Sequence, residues 1–174
     1  MTKLFKISAA ALIAAMAIAP MASAQTGEIQ GDISIGQYME DDADIVMLGG
    51  HLGYGITDNF AVEGEVAFGI TEEEIGLATA TVSHQAGLFG VLSTTPKDGF
   101  SFYGRAGYSF AEVEASAGNV TVSEDIDGLA YGIGAKYFFD DVNGVRLDWT
   151  KYTSSDDNVD GDADVVSIGY ARKF

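Results

Sequence analysis

The sequence predicts an all-β fold: an eight-stranded antiparallel up-and-down transmembrane β-barrel behind an export leader. Three observations predict it. Residues 1–24 form a short apolar segment with a basic start. The rest of the chain alternates apolar and polar residues in eight segments. Short turns and longer acidic loops follow those segments by turns.

The leader comes first. Lys3 and Lys6 precede an apolar run from Ile7 to Ala19, broken only by Ser8, and Ala22-Ser23-Ala24 forms a small-residue cleavage site. This is a signal peptide over 1–24 and a barrel domain over 25–174. The run is too short to span a membrane as a helix, which needs ~20 apolar residues. Without the leader, 7 basic residues stand against the 26 acidic ones. That excess argues against nucleic acid, whose phosphates demand positive charge. With no Cys in the chain, a disulfide framework and a thiolate zinc site are excluded.

Period-two patterning marks strands. The segments run over 28–38, 44–56, 60–70, 78–92, 100–112, 128–139, 144–152 and 163–174. Most are near the ~9–11 residues a tilted membrane strand requires. In the sixth, Leu129, Tyr131, Ile133, Ala135, Tyr137 and Phe139 face one way, against Gly132, Gly134 and Lys136. In the seventh, Val145, Leu147 and Trp149 oppose Arg146, Asp148 and Thr150. Short turns are predicted at 57–59, 93–99 and 140–143, and acidic loops at 39–43, 71–77, 113–127 and 153–162. Short turns at one end and longer loops at the other is the pattern of outer-membrane barrels.

The two faces of each strand settle orientation. One is aromatic or aliphatic. The other mixes Gly, Ala and Ser with Asp32, Glu63, Glu65, Arg105, Lys136, Arg146, Asp148 and Lys173. An eight-stranded barrel has an interior just wide enough for side chains to fill. The small residues leave room there for long charged ones, and the apolar face then meets lipid. A soluble lipocalin-like binder would reverse the two faces, and is the alternative.

The last segment carries Val166, Ile168, Tyr170, Arg172 and Phe174 on one row, placed toward lipid. An aromatic end, here Tyr170 and Phe174, resembles the assembly signal of bacterial outer-membrane proteins. Phe102-Tyr-Gly-Arg-Ala-Gly-Tyr108, Gly128-Leu-Ala-Tyr-Gly-Ile-Gly-Ala-Lys136 and Val145-Arg-Leu-Asp-Trp149 carry the same likeness. The mature chain as a whole resembles the small outer-membrane β-barrel family of Gram-negative bacteria, with its OmpA transmembrane-domain, OmpX-like and opacity-like members. The resemblance implies export to the cell outer membrane and insertion by the barrel-assembly machinery. It also implies contact with lipid and lipopolysaccharide, and a structural or surface role. Some members form narrow ion-conducting pores, the second functional alternative. In OmpA-like barrels an interior ion-pair cluster plugs the lumen. By position, Glu63, Glu65, Arg105, Lys136, Arg146 and Asp148 are the residues that would form it here. Buried charges must pair, because an unpaired one costs several kcal/mol.

The remaining acid concentrates in the loops. Asp156-Asp157-Asn158-Val159-Asp160-Gly161 matches the first half of an EF-hand calcium loop. Ca²⁺ takes 6–8 oxygens, and a Gly turn brings alternate carboxylates together. Asp156, Asn158, Asp160 and Asp164 are the candidate ligands, but the twelfth position is Ser167 rather than a bidentate Glu. Calcium is the one cofactor to consider; no other is expected. The chain has two His. His51 falls on the inward face. His84 falls outward, at an interface or a bulge, and Ala86 stands where a lipid A deacylase barrel would carry Ser. No catalytic residues are assigned, and an enzyme is not expected. No extracellular partner can be named.

Overall fold

The computed structural model describes residues 27–39, 45–71, 73–75, 78–117, 120–155 and 162–174. The predicted leader over 1–24, and Asp156, Asn158 and Asp160 of the predicted calcium loop, lie outside them. Among the described residues nine strands follow in chain order: β1 (Ile29–Tyr38), β2 (Val46–Gly55), β3 (Phe60–Gly69), β4 (Glu73–Ile75), β5 (Ala78–Ser93), β6 (Phe100–Ala117), β7 (Val120–Phe138), β8 (Asn143–Tyr152) and β9 (Ala163–Lys173). Each barrel strand pairs antiparallel with its sequence neighbours, β1 pairs with β9, and β3 pairs with β5. The ring is closed by eight strands. The short β4 pairs with β5, outside the ring. Closure of the eight-stranded ring removes the sheet edges within lipid and satisfies the backbone there.

Small local devices fix the short turns. Asp98 and Gly99 both have positive φ, 52° and 83°, the conformation a two-residue hairpin turn demands and an Asp-Gly pair supplies. Asp140 Oδ1 accepts from the backbone N–H groups of Val142 (2.8 Å) and Asn143 (2.5 Å). These bonds and the Asn143 side-chain amide favour the ionised form and hold the Asp140 carboxyl below its ordinary range.

Burial follows the predicted faces. Asp32, Glu63, Arg105 and Arg146 are 1–3% exposed, whereas Leu88, Phe102, Ile133 and Ile168 are 62–64% exposed. Charges inside and large hydrophobics outside overturn the soluble lipocalin-like alternative, since water would leave that outer face unsolvated. On β6 the outward row runs from Phe100 to Phe110, enough at membrane-strand tilt to cross an apolar band of about 25 Å.

The structure corrects two expectations and places, between them, the bulge expected at His84. The predicted loop over 113–127 is mostly strand: β6 runs 18 residues and β7 runs 19. Carboxylates made the stretch read as loop, yet Glu112 and Glu114 share the water-facing side, opposite Asp125 and Ser123. Alternation continues there, so the hairpin continues beyond the apolar band. Strand alternation slips between Val82 and His84. Ser83 is the extra residue of a β-bulge, which brings Val82 to the inside beside Gln85, both 3–4% exposed. His84 stays outward, its side chain 52% exposed. The second correction is Phe174, which does not share the exposed row of Ile168 and Tyr170: it is 4% exposed against 44% for Tyr170. Strand β9 ends at Lys173. The Phe174 N–H bonds to the Ile29 carbonyl, and the Arg172 guanidinium lies 5.9 Å from the ring centre.

Candidate functional site

The alternation of β1, β2, β3, β6 and β8 delivers one acid or base after another to the same interior. Register then sets their height. Asp32 lies opposite His51, and His51 opposite Glu65. Arg146 enters from β8 and reaches carboxylates on three strands. Its Nη1 donates to Asp32 Oδ2 (2.9 Å) and Glu63 Oε2 (2.6 Å). Its Nη2 donates to Glu63 Oε1 (2.9 Å) and Asp148 Oδ1 (2.9 Å), and its Nε to Asp148 Oδ2 (2.7 Å). A guanidinium has five N–H donors, and all of them are used. The Arg146 side chain is 0% exposed.

Arg105 supplies the second guanidinium. It donates to Glu63 Oε1 (3.3 Å) and to Glu65 Oε2, and it lies 3.7 Å above the centre of the Phe89 ring. Glu65 fills its other oxygen with Gln85 Nε2 (3.0 Å) and the Tyr152 hydroxyl (2.8 Å). The Tyr103 hydroxyl donates to Asp148. A Cβ on Gly134, across from Tyr103, would sit 2.3 Å from the ring's Cζ. Glycine is required there because the aromatic ring occupies the space.

His51 bridges the two walls of the cluster. Its Nδ1 is 2.6 Å from Asp32 Oδ1 and its Nε2 is 2.8 Å from Glu65 Oε2. An ionised carboxylate only accepts hydrogen bonds, so this geometry is satisfied when the ring carries both protons. Four carboxylates (Asp32, Glu63, Glu65, Asp148) then face two guanidiniums, one imidazolium and the Lys136 ammonium. Charge balances inside a low-dielectric wall, where an imbalance would cost most.

The structure brings together five of the six predicted cluster residues: Glu63, Glu65, Arg105, Arg146 and Asp148. Lys136 is buried beside them without an ion pair among the described residues. Its Nζ donates to Gln30 Oε1 (2.5 Å) and lies 5.0 Å from the Tyr103 ring centre. Arg146 is its direct cross-strand neighbour and takes the carboxylates. Asp32 and His51 belong to the cluster as much as the predicted six. Both have inward parity in the sequence, but only register shows that Asp32 adjoins His51 and that His51 adjoins Glu65. Lys173 sits instead at the end of β9, 3.3 Å from Glu28. Asp164 of the predicted calcium set lies in β9, with Oδ2 at 3.5 Å from Lys151 Nζ. At the rim, Tyr170 donates to Asn143, and His84 Nδ1 is 4.0 Å from Glu112.

A ring of eight strands, lipid-facing hydrophobics and an interior of paired charges define a membrane barrel. The sequence pattern of the outer membrane protein β-barrel domain matches residues 8–174. The chain belongs to that family. Its membrane is therefore the outer membrane of Gram-negative bacteria. Among solved structures, this outer-membrane barrel is similar to the N-terminal β-barrel domain of Pseudomonas aeruginosa OprF, at 14% identity and TM-score 0.68, covering 87% of this chain and 100% of that one. It is similar to Ail, the attachment invasion locus protein of Yersinia pestis, at 16% identity and TM-score 0.60, over 85% and 99% of the chains. It is also similar to Neisserial surface protein A, at 13% identity and TM-score 0.60, over 84% and 94%. At such identities the likeness is one of fold. No curated protein matches the barrel in sequence.

Proposed function

We propose that the protein is a closed, non-conducting outer-membrane barrel with a structural or surface-interaction role and no catalytic activity. The observation that carries this reading is the saturation of Arg146: five donor bonds to three carboxylates, with three of the bonds crossing the lumen to Asp32 and Glu63. Opening a water column there would require several buried, charge-assisted hydrogen bonds to break together, each worth about 1.5–3 kcal/mol. A plugged lumen leaves the outer surface as the working part.

The surface role falls to the acidic rim. Glu112, Asp125 and Asp127 are neighbours on the outward side of the β6–β7 hairpin. Like charges at that spacing favour divalent cations, which the phosphorylated lipopolysaccharide beside the barrel also recruits. A weak calcium site at Asp156, Asn158, Asp160 and Asp164 belongs to the same reading, with Lys151 competing for Asp164. Tyr170 and Phe174 serve the barrel-assembly machinery during insertion, and the leader over 1–24 is removed on export.

Single-channel recording of the refolded protein in a planar bilayer, with and without millimolar Ca²⁺, tests the proposal. A silent bilayer with verified insertion is the expected result. Discrete conductance steps in the native protein would replace the closed barrel with the narrow pore. Calorimetric titration with Ca²⁺ tests the loop site, and heat no greater than buffer dilution would remove it.

A further inference from the structure

On the extracellular side of the ionic cluster the lumen changes character. Met47, Ala67 and Val82, 3–8% exposed, pack into one apolar cluster, with Tyr38, Ile45 and Val113 against it. These residues come from β1, β2, β3, β5 and β6, together with Ile45 just ahead of β2. The bulge at Ser83 is what turns Val82 inward to join them. Register gives the order along the wall. Met47 lies opposite Gly36, Gly49 opposite Ser34, and His51 opposite Asp32. Ser34, 4% exposed, therefore sits level with Ala67 at the lower edge of the apolar layer, one rung below Met47 and one rung above the Asp32–His51 pair. Gly49 keeps that rung small, since a Cβ there would lie 3.2 Å from Ser34 Oγ and 3.5 Å from Ala67 Cβ.

We infer that the lumen is closed twice in series, by an apolar cap toward the extracellular mouth and by the ionic cluster beneath it. The inference rests on the closed-barrel reading and assigns the cap its own role. The two layers exclude different things. An apolar constriction excludes water and ions because neither is solvated in it. The ionic cluster blocks by filling the lumen, and it depends on a protonated His51 and on the Arg105 and Arg146 ion pairs. The cap keeps water from the cluster, which holds the local dielectric low and strengthens each ion pair. A chain of side-chain hydrogen bonds joins the layers: the Tyr38 hydroxyl, beside the cap, donates to Gln85 Oε1 (3.4 Å), and Gln85 Nε2 donates to Glu65 Oε1 (3.0 Å).

The chain has no cysteine, so a single introduced thiol reports cleanly. Ser34→Cys places it at the lower edge of the cap, one rung above the Asp32–His51 pair. Thr95→Cys, at an exposed turn position, is the control for full reactivity. Both are refolded into lipid nanodiscs, with both mouths open to a small water-soluble thiol reagent. The Ser34→Cys thiol is expected to be protected relative to the control. Adding Met47→Ser and Val82→Ser should raise its labelling rate roughly tenfold or more, because the constriction then wets. The same cap variant should stay silent in a planar bilayer, since the ionic layer still closes the lumen.

Three results would overturn the inference. These are a Ser34→Cys thiol as reactive as the control in the native barrel, continued protection in a folded cap variant, or ion conduction by the cap variant. Heat-shifted gel mobility verifies folding. Should the serine pair fail to fold, Met47→Ala with Val82→Ala opens the cap while keeping it apolar and is read the same way. Conduction by the native chain would instead strike the closed-barrel reading itself, so the two failures are distinguishable.

Discussion

The lumen and the outer part of the β6–β7 hairpin both carry carboxylates on regular strands, with opposite results. Inside, every carboxylate of the cluster meets a cation: Arg146 reaches across to Asp32 at 2.9 Å and Glu63 at 2.6 Å and holds Asp148 on its own strand at 2.7 Å. On the hairpin, Glu112 faces Asp125 across the ladder and His84 on its other side, 4.0 Å away. The difference lies in the solvent. Burial makes an unpaired charge costly, so the closed ring admits charges only in balance. Water screens the hairpin, so its acids need no partner and accumulate.

The largest test of that contrast is Arg146→Met. It leaves Asp32, Glu63 and Asp148 short of a cation, and should cost about 3–5 kcal/mol in urea unfolding of the reconstituted barrel. A loss below 1 kcal/mol would mean that the cluster does not hold the walls together. Tyr152→Phe is subtler. It removes one hydrogen bond to the buried Glu65 carboxylate and should cost about 1.5–3 kcal/mol by the same assay. On the hairpin the sign reverses. Glu112→Gln relieves cross-strand repulsion with Asp125 and should stabilise by about 0.2–1 kcal/mol, with the gain shrinking as salt is added. A destabilisation there would show that Glu112 is paired like a lumen residue.

The smallest effect concerns Asp140, at a turn outside the lipid. Its carboxyl is held below the ordinary 3.8 by bonds from Asn143 and Val142. A depressed folded value means the contribution is complete above the unfolded value and is lost as pH falls through the folded one. Asp140→Ala should therefore speed amide exchange in the 140–143 turn at neutral pH. The difference from the native chain should persist on mild acidification and vanish only below the ordinary carboxyl range. A difference that disappears already near pH 5 would show that the turn bonds do not involve the ionised form.

Much of the site was legible in the chain. Glu63, Glu65, Arg105, Arg146 and Asp148 each sit at inward parity in a clear alternating segment, and the structure joins all five. Asp32 and His51 have the same parity, yet nothing local ties them to Glu65. Lys136 has it too and forms no ion pair among the described residues, because its cross-strand neighbour is Arg146 itself. Parity names the face a residue occupies but not the partner it meets.

The sequence by itself determined the number of strands in the ring, the antiparallel up-and-down order, and which face of each strand meets lipid, though not the short β4. These follow from local alternation and turn chemistry, such as Asp98-Gly99, which act over a few residues. Only the tertiary structure decided the rest. Arg146 reaches Asp32 across 114 positions of chain, and that contact exists only once β1 has closed against β9 and set the register. The bulge at Ser83 reverses a parity that the alternating segment would otherwise carry through, and so moves Val82 into the cap. The hairpin outran its predicted end because acidic residues suit a solvent-facing strand as well as a loop. Which of the two forms depends on the neighbouring strand that continues beside it.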